Sequence, residues 1–281
     1  VYFLYLGFPF ERVLPKALAG MEKEAGVRIE ATTIRAGWFL SLVATDVKVY
    51  WGGRRGSAGG EEAQPTLRLD KVQVYPKLLS LLTGKKGAKV DAMLLGGRVR
   101  GTVVNSKAGS HVDLTVDGVE IAKVPTLANF GVNASGTVAG TVKLDVDADD
   151  GTKSTGKIDL QVKSPRIAES NLILFKIPET VFDKGGAAIL QIKDGKIDFV
   201  DVGLHGDDLD LAVEGEILLK KRLASSQWSA KSVIRASDAW KSKVAGFENI
   251  VGAGKQPDGS YRYKIAGVLG GFPRTIPDKS R

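Results

Sequence analysis

The chain has 281 residues, with 40 Lys and Arg against 32 Asp and Glu and no cysteine. This length is enough to bury a core, and 43% apolar with 26% charged residues is typical of a folded protein rather than a disordered one. The lack of cysteine excludes disulfide scaffolds, thiolate zinc sites, iron–sulfur clusters and cysteine nucleophiles. Two histidines leave little for a His-rich metal site.

The net charge of +8 is unevenly distributed along the chain. Residues 1–60 carry +3, residues 61–110 carry +5, residues 111–220 carry −8 and residues 221–281 carry +8. Most basic residues alternate with apolar ones, as Arg98 and Arg100 do around Val99, whereas a nucleic-acid binder concentrates its basic residues in one patch or stripe. The pattern therefore predicts solvated strand faces and no nucleic-acid partner.

The first eight residues form the most apolar and aromatic stretch of the sequence. They are too short to span a bilayer, which needs about 20 residues. We expect residues 1–8 to be the end of a truncated transmembrane anchor, and the alternative is an apolar terminus packed on the core. The candidate membrane-proximal residues are Tyr2, Phe3, Tyr5, Phe8 and Phe10.

Residues 9–26 have apolar side chains at helical spacing, including Val13, Leu14 and Leu18, with charged residues between them. The pattern predicts an amphipathic helix that ends near Gly26. We expect this helix to cap a sheet, although it could instead lie on a bilayer surface.

From Val27 onward the apolar period is two, which predicts strands. Residues 28–51 predict two strands broken at Gly37, and the glycine-rich residues 52–60 predict a loop. Residues 67–74 and 88–104 predict one strand each. Asp117-Gly118 and Asp194-Gly195 are dipeptides that favour hairpin turns.

The clearest alternation lies in residues 137–147, and similar patterns occur near residues 211–219 and 261–265. The apolar positions of these segments are candidates either for the lining of a groove or for the core. They are Val138, Val142, Leu144, Val146, Leu211, Val213, Ile217, Leu219, Tyr261, Tyr263 and Ile265. Residues 237–251 predict a helix with Ser237 as its N-cap.

The predicted fold is mainly β: an antiparallel sheet with one apolar face, a capping N-terminal helix and a few short helices. A closed barrel, a sandwich or a sheet curled around a lipid would each cover that face, and the alternation does not distinguish them. Residues 9–271 form a single elongated domain in this prediction, and residues 272–281 form a flexible tail. Glycines at apolar-facing positions, such as Gly140 and Gly215, either allow sharp bending, leave room for a ligand or mark tight packing.

No catalytic constellation is found in the sequence. His205 lies near Asp207, Asp208 and Asp210, but their spacing does not match a calcium loop, so we interpret the cluster as an acidic turn. There is no Gly-x-Ser-x-Gly elbow. We therefore expect no catalytic residues, no metal site, no cofactor and no enzymatic activity.

The sequence resembles the GspN family, inner-membrane components of bacterial type II secretion systems. The resemblance is carried by residues 8–14 (FPFERVL), residues 24–27 (EAGV), residues 136–142 (GTVAGTV), residues 194–197 (DGKI) and residues 258–263 (DGSYRY). These motifs span nearly the whole chain, but they consist of turn and strand residues rather than reactive groups.

The resemblance implies a periplasmic domain held at the bacterial inner membrane by an upstream helix. It also implies a non-enzymatic part in type II secretion, in assembly or as a scaffold, with other secretion-system envelope proteins as partners. GspN-like chains are similar to AsmA-like proteins, whose elongated, curled sheets have an apolar interior. The resemblance therefore implies an elongated, strongly curved antiparallel sheet, like a half-barrel or groove. The alternative function is therefore a lipid-binding or lipid-transfer module with an apolar groove.

Overall fold

The computed structural model describes residues 27–37, 41–51, 67–77, 85–124, 127, 131–171, 176–268 and 274–278. Strands dominate this part of the chain. In order they are β1 (Val27–Ala36), β2 (Leu42–Trp51), β3 (Leu67–Pro76), β4 (Lys86–Leu94), β5 (Gly97–Ser106), β6 (Gly109–Glu120), β7 (Ala134–Asp147), β8 (Thr155–Ile167), β9 (Ser170–Asn171), β10 (Lys176–Ile177), β11 (Thr180–Val181), β12 (Gly186–Lys193), β13 (Lys196–Leu204), β14 (Leu209–Leu218), β15 (Gln227–Ala236), β16 (Tyr261–Ala266) and β17 (Arg274–Pro277).

One antiparallel sheet of fifteen strands contains all of these except β9 and β10, which form a separate hairpin. Strands β1 to β8 lie side by side in chain order, followed by β12 to β17, and β11 pairs with β8 beside them. The order does not close on itself, so the sheet is open. The predicted mainly β, antiparallel architecture is confirmed.

Tight turns join many of the strands. Asp194 and Gly195 have φ values of 53° and 76°, which is the left-handed pair that a type I′ hairpin needs. Leu95 and Gly96 adopt the same conformation, with φ values of 48° and 80°. The single strand predicted for residues 88–104 is therefore wrong, because this turn divides it into β4 and β5.

The hairpin predicted at Asp117-Gly118 is also wrong. Strand β6 continues through both residues, and its register with β7 shifts between Val116 and Val119. Gly118 has a φ of 64°, so the left-handed conformation expected of a turn is used for a β-bulge within one strand.

The helix predicted for residues 237–251 is two short helices, α1 (Asp238–Lys243) and α2 (Phe247–Val251). Ser237 is the N-cap of α1, as predicted, and its hydroxyl accepts a hydrogen bond from the Trp240 N–H at 3.1 Å. Gly246 has a φ of 74° and separates the helices.

Three sequence predictions fall at the termini. Arg274–Pro277, within the segment predicted to be a tail, pairs with β16 as β17. The predicted N-terminal helix and the apolar residues 1–8 lie outside the described residues.

Candidate functional site

A row of side chains that crosses nine neighbouring strands is the main candidate site. Pairing partners in an antiparallel sheet share a face, so the registers of β2 to β8, β12 and β13 place these residues side by side. This central row consists of Leu42, Val74, Val90, Gly101, Leu114, Val142, Ile158, Leu190 and Phe199. Apart from Gly101, every member is apolar.

Parallel rows widen this surface, which we call the apolar face. Across β6 and β7, the pairs on the same face as the central row are Val112 with Leu144, Val116 with Gly140 and Val119 with Val138. The row through Val116 and Gly140 continues through Leu160 and Ala188 to Val202. The apolar face is therefore a continuous surface several residues wide.

The apolar face is only partly shielded from solvent. All nine residues of the central row are half-buried, and none is fully buried. On the opposite side of β7, which belongs to the polar face of the sheet, Thr137, Thr141 and Lys143 are exposed. Apolar side chains that remain partly exposed over so many strands form a surface that could take an apolar ligand.

The length of the central row can be compared with that of a lipid tail. Neighbouring strands are about 4.8 Å apart, so nine strands span about 38 Å. The hydrocarbon core of a bilayer is about 30 Å thick, which gives about 15 Å per leaflet. The row is thus longer than the hydrocarbon layer of one leaflet is thick.

Gly140 and Gly215 mark close contacts between strand backbones. Their φ values are +151° and +121°, conformations that side-chain-bearing residues rarely adopt. A Cβ added to Gly140 would lie 2.0 Å from the carbonyl oxygen of Asp159, and one added to Gly215 would lie 2.4 Å from that of Ser229. Of the alternatives that the sequence left open, close packing of neighbouring strands accounts for both glycines.

The apolar face is covered at its C-terminal end by α1 and α2. Trp240, Phe247 and Tyr261 stack edge to face there, with ring centroids 5.5 Å and 5.1 Å apart. The Trp240 indole N–H donates to the Thr180 hydroxyl at 2.8 Å. We call this buried cluster the helical cap; it also contains Phe182, Leu209 and Val244.

Tyr261 belongs to the helical cap rather than to the open surface. Its side chain is fully buried, and its hydroxyl donates to Glu248 Oε1 at 2.5 Å. Burial, together with this hydrogen bond to a carboxylate, raises the pKa of Tyr261 to about 12. Tyr263 is held in the same way, because its hydroxyl donates to the Val251 carbonyl at 2.7 Å.

The eleven candidate residues divide into two groups. Register places those within strands on the apolar face, and Leu219 follows the end of β14. The half-buried group contains Val138, Val142, Leu144, Val146, Leu211, Val213, Tyr263 and Ile265, whereas Ile217, Leu219 and Tyr261 are buried. The candidate membrane-proximal residues Tyr2, Phe3, Tyr5, Phe8 and Phe10 lie outside the described residues.

Sequence analysis missed the part of the apolar face that β2 to β6 contribute. Val74, Val90 and Leu114 belong to the central row, and each alternates with polar neighbours in the sequence. Alternation identifies a face of one strand, but only the register shows that these faces join.

The polar face holds hydrogen-bonded ion pairs. Arg98 binds both carboxylate oxygens of Asp91, beside a pocket of about 520 Å³. The hydrogen bond from Arg98 lowers the pKa of Asp91. Within the described ranges, no three His, Cys, Asp or Glu side chains are placed to hold a metal ion, and no helix there is long and apolar enough to cross a membrane.

Comparisons with known proteins found no relative. No family model, no curated protein and no solved structure matches the chain. The resemblance to the GspN family therefore stays a prediction.

Proposed function

We propose that the protein is a non-enzymatic lipid-binding module that holds acyl chains on the apolar face of its sheet. The observation that carries this proposal is the central row, in which apolar residues continue over nine strands and stay half-buried. A core would bury these side chains, whereas a solvated sheet face would place polar residues at the same positions. An acyl chain lying along the row would remove the remaining apolar surface from water.

In this proposal the sheet curls with the apolar face inward. The contacts between hairpin ends support the curl: the Gly151 N–H, in the β7–β8 connection, donates to the Lys221 carbonyl at 2.9 Å. Lys221 belongs to the β14–β15 connection, although β12 and β13 lie between β8 and β14. Curling toward the apolar side also agrees with its lower exposure compared with the polar face.

The test is a binding titration with a long-chain fatty acid that carries an environment-sensitive fluorophore. Val142→Glu places a charge in the middle of the central row and should weaken binding at least about tenfold, because burying an unpaired charge is costly. Thr141→Glu, one residue away on the polar face, adds the same charge and should bind as the unchanged protein does.

Two further measurements make this test decisive. Val142→Thr keeps the shape of the side chain and should give an intermediate affinity, which guards against a folding defect in Val142→Glu. Light scattering determines whether a second copy covers the face instead. The proposal would be contradicted if Val142→Glu and Thr141→Glu bound the fatty acid with equal affinity, or if the protein formed a dimer that does not bind the fatty acid.

A part in type II secretion, at the bacterial inner membrane with the domain in the periplasm, is the second proposed role. It rests on the resemblance carried by such motifs as residues 136–142 and 258–263. The natural protein, isolated from its host membrane, should enrich other secretion-system components. Enrichment no greater than that of an unrelated membrane-anchored β-protein would count against this role.

A further inference from the structure

The ends of the strands form two long edges of the sheet, where the connections between strands lie. These two edges differ in charge. Alternate connections of an antiparallel sheet leave at the same edge. The edge with the β1–β2, β3–β4, β5–β6, β7–β8, β12–β13, β14–β15 and β16–β17 connections has seven basic and three acidic residues among its described connecting residues. We call it the basic edge. The opposite, acidic edge has six basic and eight acidic residues in its described connections, including α1, α2 and β9 to β11.

The lysines of the acidic edge are mostly neutralised. Five of the six have a carboxylate oxygen within 3.0 Å of Nζ. These pairs are Lys123–Glu120, Lys176–Glu169, Lys184–Asp207, Lys241–Asp238 and Lys255–Glu248. Their charges are already matched by local partners and add little to the long-range potential of this edge.

The basic edge is different, because six of its seven basic residues form no ion pair with any described residue. All six are exposed: Lys85, Lys107, Lys153, Lys220, Lys221 and Arg222. The nearby carboxylates have other hydrogen-bond partners. Asp150 accepts from the backbone N–H and hydroxyl of Thr152, at 3.1 Å and 2.7 Å, and Asp147 accepts from the backbone N–H groups of Asp149 and Asp150.

Folding brings part of this charge together. Lys153 and Lys221 are 68 residues apart in the sequence, but the hydrogen bond from Gly151 to Lys221 holds their two connections against each other. Both lysine charges act on Asp150 and help to lower its pKa, after the larger effect of the hydrogen bonds from Thr152. The fold thus holds lysines from separate connections close together at the basic edge.

We propose that the basic edge docks the protein on an anionic membrane surface. Connections that end along one edge of a sheet can meet a flat surface together, and lysines near a membrane contribute additively to binding anionic lipid. The described connections at this edge have no aromatic side chain on which bases could stack. They include residues 106–109, 147–155, 193–196 and 219–226. A membrane therefore fits this edge better than a single-stranded nucleic acid.

The basic edge is distinct from the apolar face, so membrane docking does not depend on acyl-chain binding. The test is co-sedimentation of the protein with vesicles of phosphatidylcholine, with and without phosphatidylglycerol. The protein should bind only the vesicles that contain phosphatidylglycerol, and added salt should weaken binding. A variant with Lys107, Lys153, Lys220 and Lys221 each changed to Gln should lose affinity on the order of a hundredfold, because each lysine near the surface contributes separately.

The matched control changes four paired lysines of the acidic edge, Lys123, Lys176, Lys184 and Lys255, to Gln. It removes the same net charge and should retain binding within about twofold, since paired surface lysines contribute little. Circular dichroism establishes that both variants fold. Equal losses in the two variants, failure to bind the anionic vesicles, or a preference for single-stranded DNA over vesicles would each overturn membrane docking. The basic-edge variant is also tested for fatty-acid binding. If it binds the fatty acid but not the vesicles, the loss concerns membrane docking and not the proposed acyl-chain binding.

Discussion

His205 lies between two carboxylates on the polar face of the sheet. Its Nδ1 is 2.8 Å from Asp210 and its Nε2 is 3.0 Å from Asp201, so both ring nitrogens can donate only if the imidazole is protonated. Partial burial alone would lower the pKa of His205, but the hydrogen bonds and charges of Asp210 and Asp201 outweigh it, and the pKa is raised. The two histidine contacts tie β14 to β13.

A raised pKa links the stability of the protein to pH. The stabilisation from His205 should be fully present below its unfolded pKa of about 6.5 and should be lost as the pH rises through the higher folded value. We expect His205→Gln to lower the free energy of unfolding by about 1 kcal/mol at pH 5.5, after allowance for solvent screening, and by less at pH 9. Urea unfolding at both values measures the difference.

His111→Gln is the control for this experiment. His111 also contacts a carboxylate, Asp145, at 2.6 Å, but both side chains are more than half exposed, and exposed pairs contribute little. A His205→Gln effect that is the same at both pH values would show that the histidine acts through packing rather than charge.

The helical cap is the element that closes the apolar face at one end. Trp240 is 4% exposed and joins α1 to β11 through its hydrogen bond to Thr180. Trp240→Ala should reduce the free energy of unfolding by about 3–5 kcal/mol, because it leaves a large cavity and removes the hydrogen bond that the Thr180 hydroxyl accepts. Ile250→Ala on α2, where the side chain is 36% exposed, should change it by less than about 1 kcal/mol. Urea titration of the two variants tests this contrast, and similar losses would contradict the assignment of Trp240 to the core.

Elements were predictable from the sequence where one local signal decides the structure. The Asp194-Gly195 turn and the Ser237 cap were identified because a left-handed pair and a capping hydroxyl each depend on the chain nearby. The Asp117-Gly118 hairpin was wrongly predicted for a related reason. The left-handed conformation of Gly118 occurs both in turns and in β-bulges, and it forms a bulge here because β7 continues to pair with β6 on both sides of it. At Leu95-Gly96 the first turn residue is apolar, and the glycine pair Gly96-Gly97 was not interpreted as the turn that it marks.

The central row could not be predicted, although most of its strands show apolar alternation in the sequence. Val142 and Leu114 are apolar positions in two alternating segments, and shifting one strand by a single residue would put them on opposite faces. The burial of Tyr261 depended on α1 and α2 folding back over β16, which alternation in β16 does not encode. Register and the packing of distant segments carry the information that the sequence patterns lack.

At the scale of the whole molecule, stability should be unevenly distributed along the sheet. The helical cap places a buried cluster against β14 and β16, whereas the central row across β2 to β8 remains half-buried. Local opening costs less where few apolar side chains are buried. We therefore expect backbone amides in β14 to β16 to exchange hydrogen more slowly than those in β2 to β5.

Acyl-chain binding should change this distribution. A ligand at 100 times its Kd stabilises the protein by about 2.7 kcal/mol, and contacts along the central row should direct the added protection to β4 to β8. Hydrogen-exchange mass spectrometry with and without a long-chain fatty acid measures both patterns, and Val142→Glu should show the first but not the second. Protection gained only around Trp240 and Phe247 would instead place the ligand beneath the helical cap, and uniform exchange in the free protein would contradict the expected gradient. Apart from the β9–β10 hairpin, β1 to β17 belong to one sheet, so an acyl chain bound across many strands stabilises each strand pair that it bridges. The protection from hydrogen exchange should therefore grow with the length of the acyl chain until the central row is filled.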